Sequence, residues 1–228
     1  MGLSNRVVSG PVGHLARIWA AECDRPTDFS SIASVTPGIG FVRIGGATSV
    51  HLRGPATTAV TLSCPADAEY FGVDFRLGAY LPAFAPARLA NLADAVLPTL
   101  DDGRILLDGR TWELPRPDNV DVFVERLARA GLLVFDPLIE ELRQQDGGPL
   151  PARTAQSRFV RAVGLSRRTL RVIERARHAA RLLRDGSTIA EVVSAAGYYD
   201  QPDLTRSLRK QIGHTPAELV RGGVFLDL

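Results

Sequence analysis

The sequence predicts an α+β protein: a small β-rich, sandwich- or barrel-like N-terminal domain followed by an all-α domain of helix-turn-helix type. Three observations carry this reading. Short runs of β-branched and aromatic residues, separated by turn chemistry, fill the first 80 positions. Apolar residues at helical spacing, with caps and glycine stops, take over from Val120. The charge also divides along the chain. Residues 1–150 hold 13 basic and 18 acidic residues, net −5, whereas 151–221 hold 14 basic and 6 acidic, net +8. The domains are therefore placed at 1–135 and 136–228.

The bulk properties set the limits. Of 228 residues, 45% are hydrophobic and 23% charged, which excludes a disordered chain. A chain of this length can bury roughly 70% of its unfolded surface, enough for one large core or two small ones. Cys23 and Cys64 are too few for a disulfide scaffold and have no metal-type spacing. No apolar run approaches the length of a membrane span. The stretch from Met1 to Trp19 has no apolar core followed by a small-residue cleavage site, so the cytoplasm is the expected location.

In the β-rich part, Phe41–Ile44, Thr48–Leu52, Thr58–Ser63 and Tyr70–Phe75 read as strands. Gly45-Gly46, Gly54-Pro55 and Pro65–Asp67 supply turns, and Gly38-Ile-Gly40 also reads as a turn. Ala87–Leu97 places Leu89, Leu92 and Val96 at helical spacing and stops before Pro98. A loop or hairpin is expected through Asp101–Gly103 and Asp108-Gly109. Beyond Pro115–Asn119, Phe123, Leu127 and Leu132-Leu133 mark one helical segment. Asp136 caps a second, with Pro137 first and Leu138, Ile139 and Leu142 as its apolar side. Asp146–Pro149 is the clearest break.

The basic region is the most informative. Arg153–Val163 has Ala155, Phe159 and Val163 at four-residue steps and ends at Gly164. Ser166 caps a long helix to Leu183, with Leu170, Ile173, Ala176, Ala180 and Leu183 on one side and Arg167, Arg171 and Arg175 on the other. Thr188 with Glu191 forms a capping box. Ile189, Val192, Val193 and Ala196 make that helix's inner face, and Gly197 supplies a turn. Asp200 caps the next helix, which has Pro202 in its first turn and Leu204, Leu208 and Ile212 packing back. Thr215-Pro216-Ala-Glu218 is a further capping box. A helix, a glycine turn and a helix fit a helix-turn-helix whose second member presents side chains to the major groove.

The residues Gly164-Leu-Ser166, Arg175…Ala179…Leu182-Leu183, Ile189-Ala-Glu191, Ala196-Gly-Tyr198, Asp200-Gln201, Arg206-Ser-Leu208 and Gly213-His-Thr-Pro216 resemble the DNA-binding domain of AraC-family transcription regulators. The spacing agrees over about 65 residues. Tyr70–Gly78 and Leu97-Pro98 are similar to the sensor-type domain of an AraC-like subgroup. The resemblance implies a double helix-turn-helix, with Arg153–Val163 and Gln201–Gln211 as recognition helices joined by the long helix. It maps the family's base-contacting positions onto Arg153, Gln156 and Ser157 and onto Gln201, Pro202, Asp203 and Arg206, and the outer helix faces add Thr154, Arg161, Thr205, Arg209 and Lys210 as DNA contacts. Arginine can hold guanine O6 and N7 together. Arg209, Lys210 and the exposed arginines of the long helix are expected on phosphate. The resemblance implies double-stranded DNA as partner and leaves a small-molecule effector, a homodimer contact and RNA polymerase open as others. Activation and repression also stay open.

Two departures from the family pattern stand out. Only Asp146–Leu150 separates the helix ending near Gln145 from Pro151, so the first unit either lacks a helix or borrows Asp136–Gln145. Pro202 and Asp203 stand where base-reading residues are common, and Asp203 is read as stabilising the helix N-terminus. Elsewhere, His51 has no second histidine at i+2, so no metal site is called for. No Gly-rich phosphate loop and no G-x-S-x-G elbow is present. Cys64 reads as a small buried hydrophobe, Trp19 and Trp112 as core or interface residues, and Tyr198 as packing. Neither catalysis nor a cofactor is expected. The rival readings are a cupin-like small-molecule enzyme and an interaction module that has lost DNA binding. A fragment from Asp136 onward is expected to bind DNA at least as tightly as the whole chain, because the acidic part weakens the attractive field.

Overall fold

The computed structural model describes residues 3–10, 13–92, 95–100, 103–144 and 150–224. The chain opens with strands β1 (Leu3–Ser9), β2 (Leu15–Cys23), β3 (Thr27–Ser31), β4 (Gly38–Ile44), β5 (Ala47–Arg53), β6 (Val60–Cys64), β7 (Ala68–Phe75) and β8 (Ala79–Tyr80). A short helix α1 (Pro86–Leu89) follows, then β9 (Ala95–Leu97), β10 (Arg104–Leu107), β11 (Arg110–Glu113), helix α2 (Val120–Arg129) and β12 (Val134–Phe135). The remainder is helical: α3 (Leu138–Gln144), α4 (Ala152–Val163), α5 (Arg167–Arg184), α6 (Ile189–Ala195), α7 (Gln201–Gln211) and α8 (Pro216–Arg221). Among the described residues no helix is long and apolar enough to cross a membrane.

Six strands form one antiparallel sheet in the order β1-β2-β7-β4-β5-β9. Alternation along each strand decides its faces. Ile18, Val73, Ile39 and Leu52 lie side by side, as do Phe71, Phe41 and Val50, and these rows face the main core. Against them pack Val120, Phe123, Val124 and Leu127 of α2 and Ile105, Leu107 and Trp112 of the β10–β11 hairpin. Phe41 stacks on Phe71 at 4.5 Å, and Phe123 meets both Phe41 and Trp112 edge-on. The pair β3–β6 covers part of the opposite face, where Phe29 and Cys64 meet Cys23, Ala68 and Tyr70. Burial, with Cys23 close by, pushes the Cys64 thiol up to about 11, so it packs as a small apolar group with almost no thiolate at neutral pH.

Two local readings are corrected. The helix expected over Ala87–Leu97 is only the single turn α1. Asn91 adopts a left-handed φ of 58°, and its side-chain carbonyl accepts from the Thr57 N–H at 2.7 Å and the Thr57 hydroxyl at 2.9 Å. Beyond it, Ala95–Leu97 pairs with β5, with Leu97 in the core and Val96 outside, so a two-residue period replaces the helical one. Gly38-Ile-Gly40 is no turn but the start of β4. The reason is crowding: a Cβ at Gly38 would stand 2.3 Å from the Val73 carbonyl oxygen. Gly45-Gly46 is the turn between β4 and β5, with φ of 56° and 83°.

The β-rich region and the helices interlock. Ile32 and Ala33, directly after β3, leave the sheet and enter the helical region, 5% and 0% exposed. Ile32 packs among Ala176, Ala180, Leu204, Leu208 and Ile212, while Ala33 packs among Leu142, Phe159 and Ile173. The Ala33 N–H donates to the Gln211 carbonyl at 2.7 Å, and the Ala59 N–H to the Lys210 carbonyl at 2.8 Å. These carbonyls end α7 and have no partner inside their own helix. Arg177 of α5 donates to the Ala33 carbonyl at 3.1 Å. A second seam lies at Gly164, whose φ is 80° and where a Cβ would sit 2.6 Å from the Pro86 carbonyl carbon. Gly164→Ala combines left-handed strain with a clash against backbone, so it is expected to cost about 2 kcal/mol or more in urea unfolding.

Candidate nucleic-acid interface

The long helix α5 organises everything after residue 136. Its first half, through Leu170 and Ile173, shares a core with Ile139 and Leu142 of α3 and Ala155, Phe159 and Ala162 of α4. Its second half, through Ala176, Ala179, Ala180 and Leu183, shares another with Val192, Ala196, Leu204, Leu208, Ile212 and Leu219. Leu138–Gln144 thus packs beside α4, in the place where a helix preceding it was in question. The stretch 145–149, where the break was read, lies outside the described residues.

Capping fixes where each helix begins. The Ser166 hydroxyl accepts from the Thr169 N–H at 3.1 Å. Thr188 with Glu191 and Thr215 with Glu218 both form the expected capping boxes. The Asp200 carboxylate accepts from the Asp203 N–H at 2.7 Å, and Pro202 stands in the first turn of α7. Between α6 and α7, Gly197 takes a φ of 67°. Glu191 and Glu218 each accept a backbone N–H, which holds their carboxyls below the usual carboxylate range. A depressed folded value contributes stability above the unfolded value, and that stability is lost as pH falls through the folded one. Melting temperature should decline on the acid side, and Glu191→Gln together with Glu218→Gln should flatten that decline. An unchanged acid limb would remove these caps from the account.

The sequence-predicted DNA positions fall on two outer faces. On α4, Arg153, Thr154, Gln156, Ser157 and Arg161 are all exposed. Arg153, Thr154, Ser157 and Arg161, with Arg158, line a shallow groove along the helix. Arg158 itself is committed elsewhere, since its guanidinium forks onto the Asp136 carboxylate, with Nη2 2.9 Å from Oδ1. Asp136 also accepts from the Leu138 N–H at 3.2 Å, so one carboxylate caps α3 and pins α4. On α7, Gln201, Arg206, Arg209 and Lys210 are exposed. Thr205 is half-buried and its hydroxyl donates to the Gln201 carbonyl at 2.8 Å. Arg206 lies 3.8 Å from Asp203, a reach that leaves the guanidinium 72% exposed.

The turn residues divide their work. Tyr198 is 6% exposed. Its hydroxyl meets Ser207 at 2.9 Å, Ser207 reaches Gln211, and the Arg175 guanidinium lies 4.3 Å above its ring. Tyr198 is a packing residue, as expected. Arg175 also donates to the Gly197 carbonyl, and Arg167 to the Leu142 carbonyl, so these two long-helix arginines hold the fold together. Asp203 accepts from the Tyr199 N–H at 3.3 Å and thus braces the start of α7. Tyr199, 92% exposed beside that start, was missed by sequence reasoning. The signal was there in the Tyr198-Tyr199 pair, only one of which can turn inward. Among the described residues, no three His, Cys, Asp or Glu are grouped so as to hold a metal ion.

Residues 150–222 match the model of a helix-turn-helix domain. No curated protein and no solved structure gives a significant match to the chain.

Proposed function

We propose that the chain is a DNA-binding transcription regulator of AraC type that reads duplex DNA through two helices, α4 and α7, a reading supported by the helix-turn-helix match over residues 150–222. The observation that carries this is the pair of exposed polar faces built on one continuous helix, α5, within a region of net charge +8.

In this reading Arg153 and Arg206 are the base readers, because a guanidinium fork matches guanine O6 and N7. Gln156, Ser157 and Gln201 supply shorter polar contacts, and Thr154 and Arg161 flank them. Arg209, Lys210 and the Tyr199 hydroxyl meet phosphate and fix the register. The β-rich region supplies an effector contact, a homodimer contact or both, and no bond is made or broken. A homodimer and a contact with RNA polymerase belong to the same proposal, with no residue assigned to either.

Arg206→Ala is expected to cost about 1–3 kcal/mol at the preferred site and to relax preference at one base position. Lys210→Ala should weaken every sequence nearly equally. Selection of bound duplexes from a random library, read by sequencing for both variants, separates these outcomes. Identical profiles would place the reading face elsewhere.

A further inference from the structure

Resting on the reading of DNA by α7, we infer that Tyr199 is a specificity-determining residue whose ring meets the 5-methyl group of a thymine, in the half-site that Arg206 reads. Tyr199 is 92% exposed, and the next most exposed large apolar side chain among the described residues is Val7, at 61%. The inward place in the turn is taken by Tyr198, so the second ring of the pair stands bare at the surface. Leaving an aromatic ring in water forgoes the apolar contact that a partner surface can supply.

Its place in the fold directs that ring. Helix α7 begins at Gln201, and the N-terminal residues of a recognition helix are the ones that approach base edges. Tyr199 stands two residues before that start, and its backbone is fixed there. The Asp203 carboxylate accepts the Tyr199 N–H at 3.3 Å through Oδ2, and Arg206 Nη2 lies 3.8 Å from its Oδ1. The Asp200 cap on the Asp203 N–H, at 2.7 Å, fixes the turn that carries all three. One carboxylate thus holds the ring and the guanidinium at the same end of the helix. A base step rises about 3.4 Å, so the two side chains address positions within a few base pairs of each other.

The chemistry of the groove selects the partner. Inside a duplex the base faces are stacked on one another, so a ring approaching from the groove cannot stack on them. What the major groove offers to an apolar group is the thymine methyl. A phenol has an apolar body and a polar tip. With its hydroxyl on phosphate, the Tyr199 ring lies between the backbone and the base edges, where that methyl projects. The discrimination is the burial of one methyl against the ring, and it needs no charge.

The test starts from selection of the full chain on random duplexes. Each thymine within a few base pairs of the guanine that Arg206→Ala relaxes is then replaced singly by deoxyuridine, which lacks only the methyl. One of these replacements should weaken binding by about fourfold, the worth of burying one methyl. Tyr199→Phe loses the hydroxyl and should bind more weakly overall, yet keep the fourfold preference. Tyr199→Ala should bind the thymine and deoxyuridine duplexes alike, with the melting temperature of the chain unchanged. A selected site with no thymine in that span, or equal binding of deoxyuridine at every such position, would overturn the role of Tyr199 and leave the reading by Arg206 standing. A Tyr199→Ala variant that weakens both duplexes but keeps their difference would do the same. A selection in which Arg206→Ala relaxes nothing would overturn the reading by α7, and this contact with it.

Discussion

Affinity of the full chain for duplex DNA is expected to fall by about 10³ or more as salt rises from about 50 to 200 mM, if six or so phosphates are engaged. Each neutralised phosphate releases condensed counterions, and that release is worth less as bulk salt rises. The region 151–221 has the cations to do this, and its exposed ones include Arg153, Arg161, Arg168, Arg206, Arg209 and Lys210. Arg158 and Arg175 are subtracted from that supply because the fold uses them. The slope of log affinity against log salt therefore estimates how many of the rest are engaged. A Kd that ignores salt, or no binding at low salt, would rule out a phosphate-based interface.

Truncating Ile32 should damage a part of the protein far from it in sequence. Ile32→Ala is expected to cost about 2–4 kcal/mol, because its side chain fills the core around Leu204, Leu208 and Ile212. For a chain of this size each kcal/mol moves the melting temperature by about 2–4 °C. DNA affinity should fall as well, since α7 loses the packing beside its capped carbonyls. Val60→Ala, at a half-exposed position of β6, is the control and should leave both nearly unchanged. Equal effects of the two substitutions would show that the wedge carries no special weight. The same wedge reverses the expectation for a fragment from Asp136 onward. Without Ile32 and Ala33 that fragment exposes a core position in each helical unit, so weaker binding than the full chain is expected.

Much of the helical region was legible because its signals are local. Ser166, Thr188 with Glu191, Asp200, and Thr215 with Glu218 each declare a helix start within four residues. Gly164 and Gly197 declare stops through left-handed backbone. The strands around Phe41, Val50 and Val73 were legible from β-branched and aromatic content. Strands β1, β2 and β3 were not singled out, because Leu15–Cys23 mixes Arg17 and Glu22 with small alanines. Ala87–Leu97 misled because three apolar residues at helical spacing also fit a turn followed by a strand. What no local pattern could reveal is contact across distance. Ile32 and Ala33 meet helices well over 100 residues away, and Asp136 chooses Arg158 across 22 positions. The outward polar residues of α4 and α7 were readable as a set, but their competition for partners within the fold was not. Thr205 turns back to its own helix and Arg158 to Asp136, which only side-chain geometry decides.

The central claim is that two helices, α4 and α7, read one duplex together. Selection of the full chain on a random duplex library, repeated with Arg153→Ala and with Arg206→Ala, tests it most directly. The account predicts one composite site in which the two variants relax preference at different positions, about one helical turn apart. Relaxation at the same positions by both variants, or no change of preference with Arg153→Ala, would contradict it.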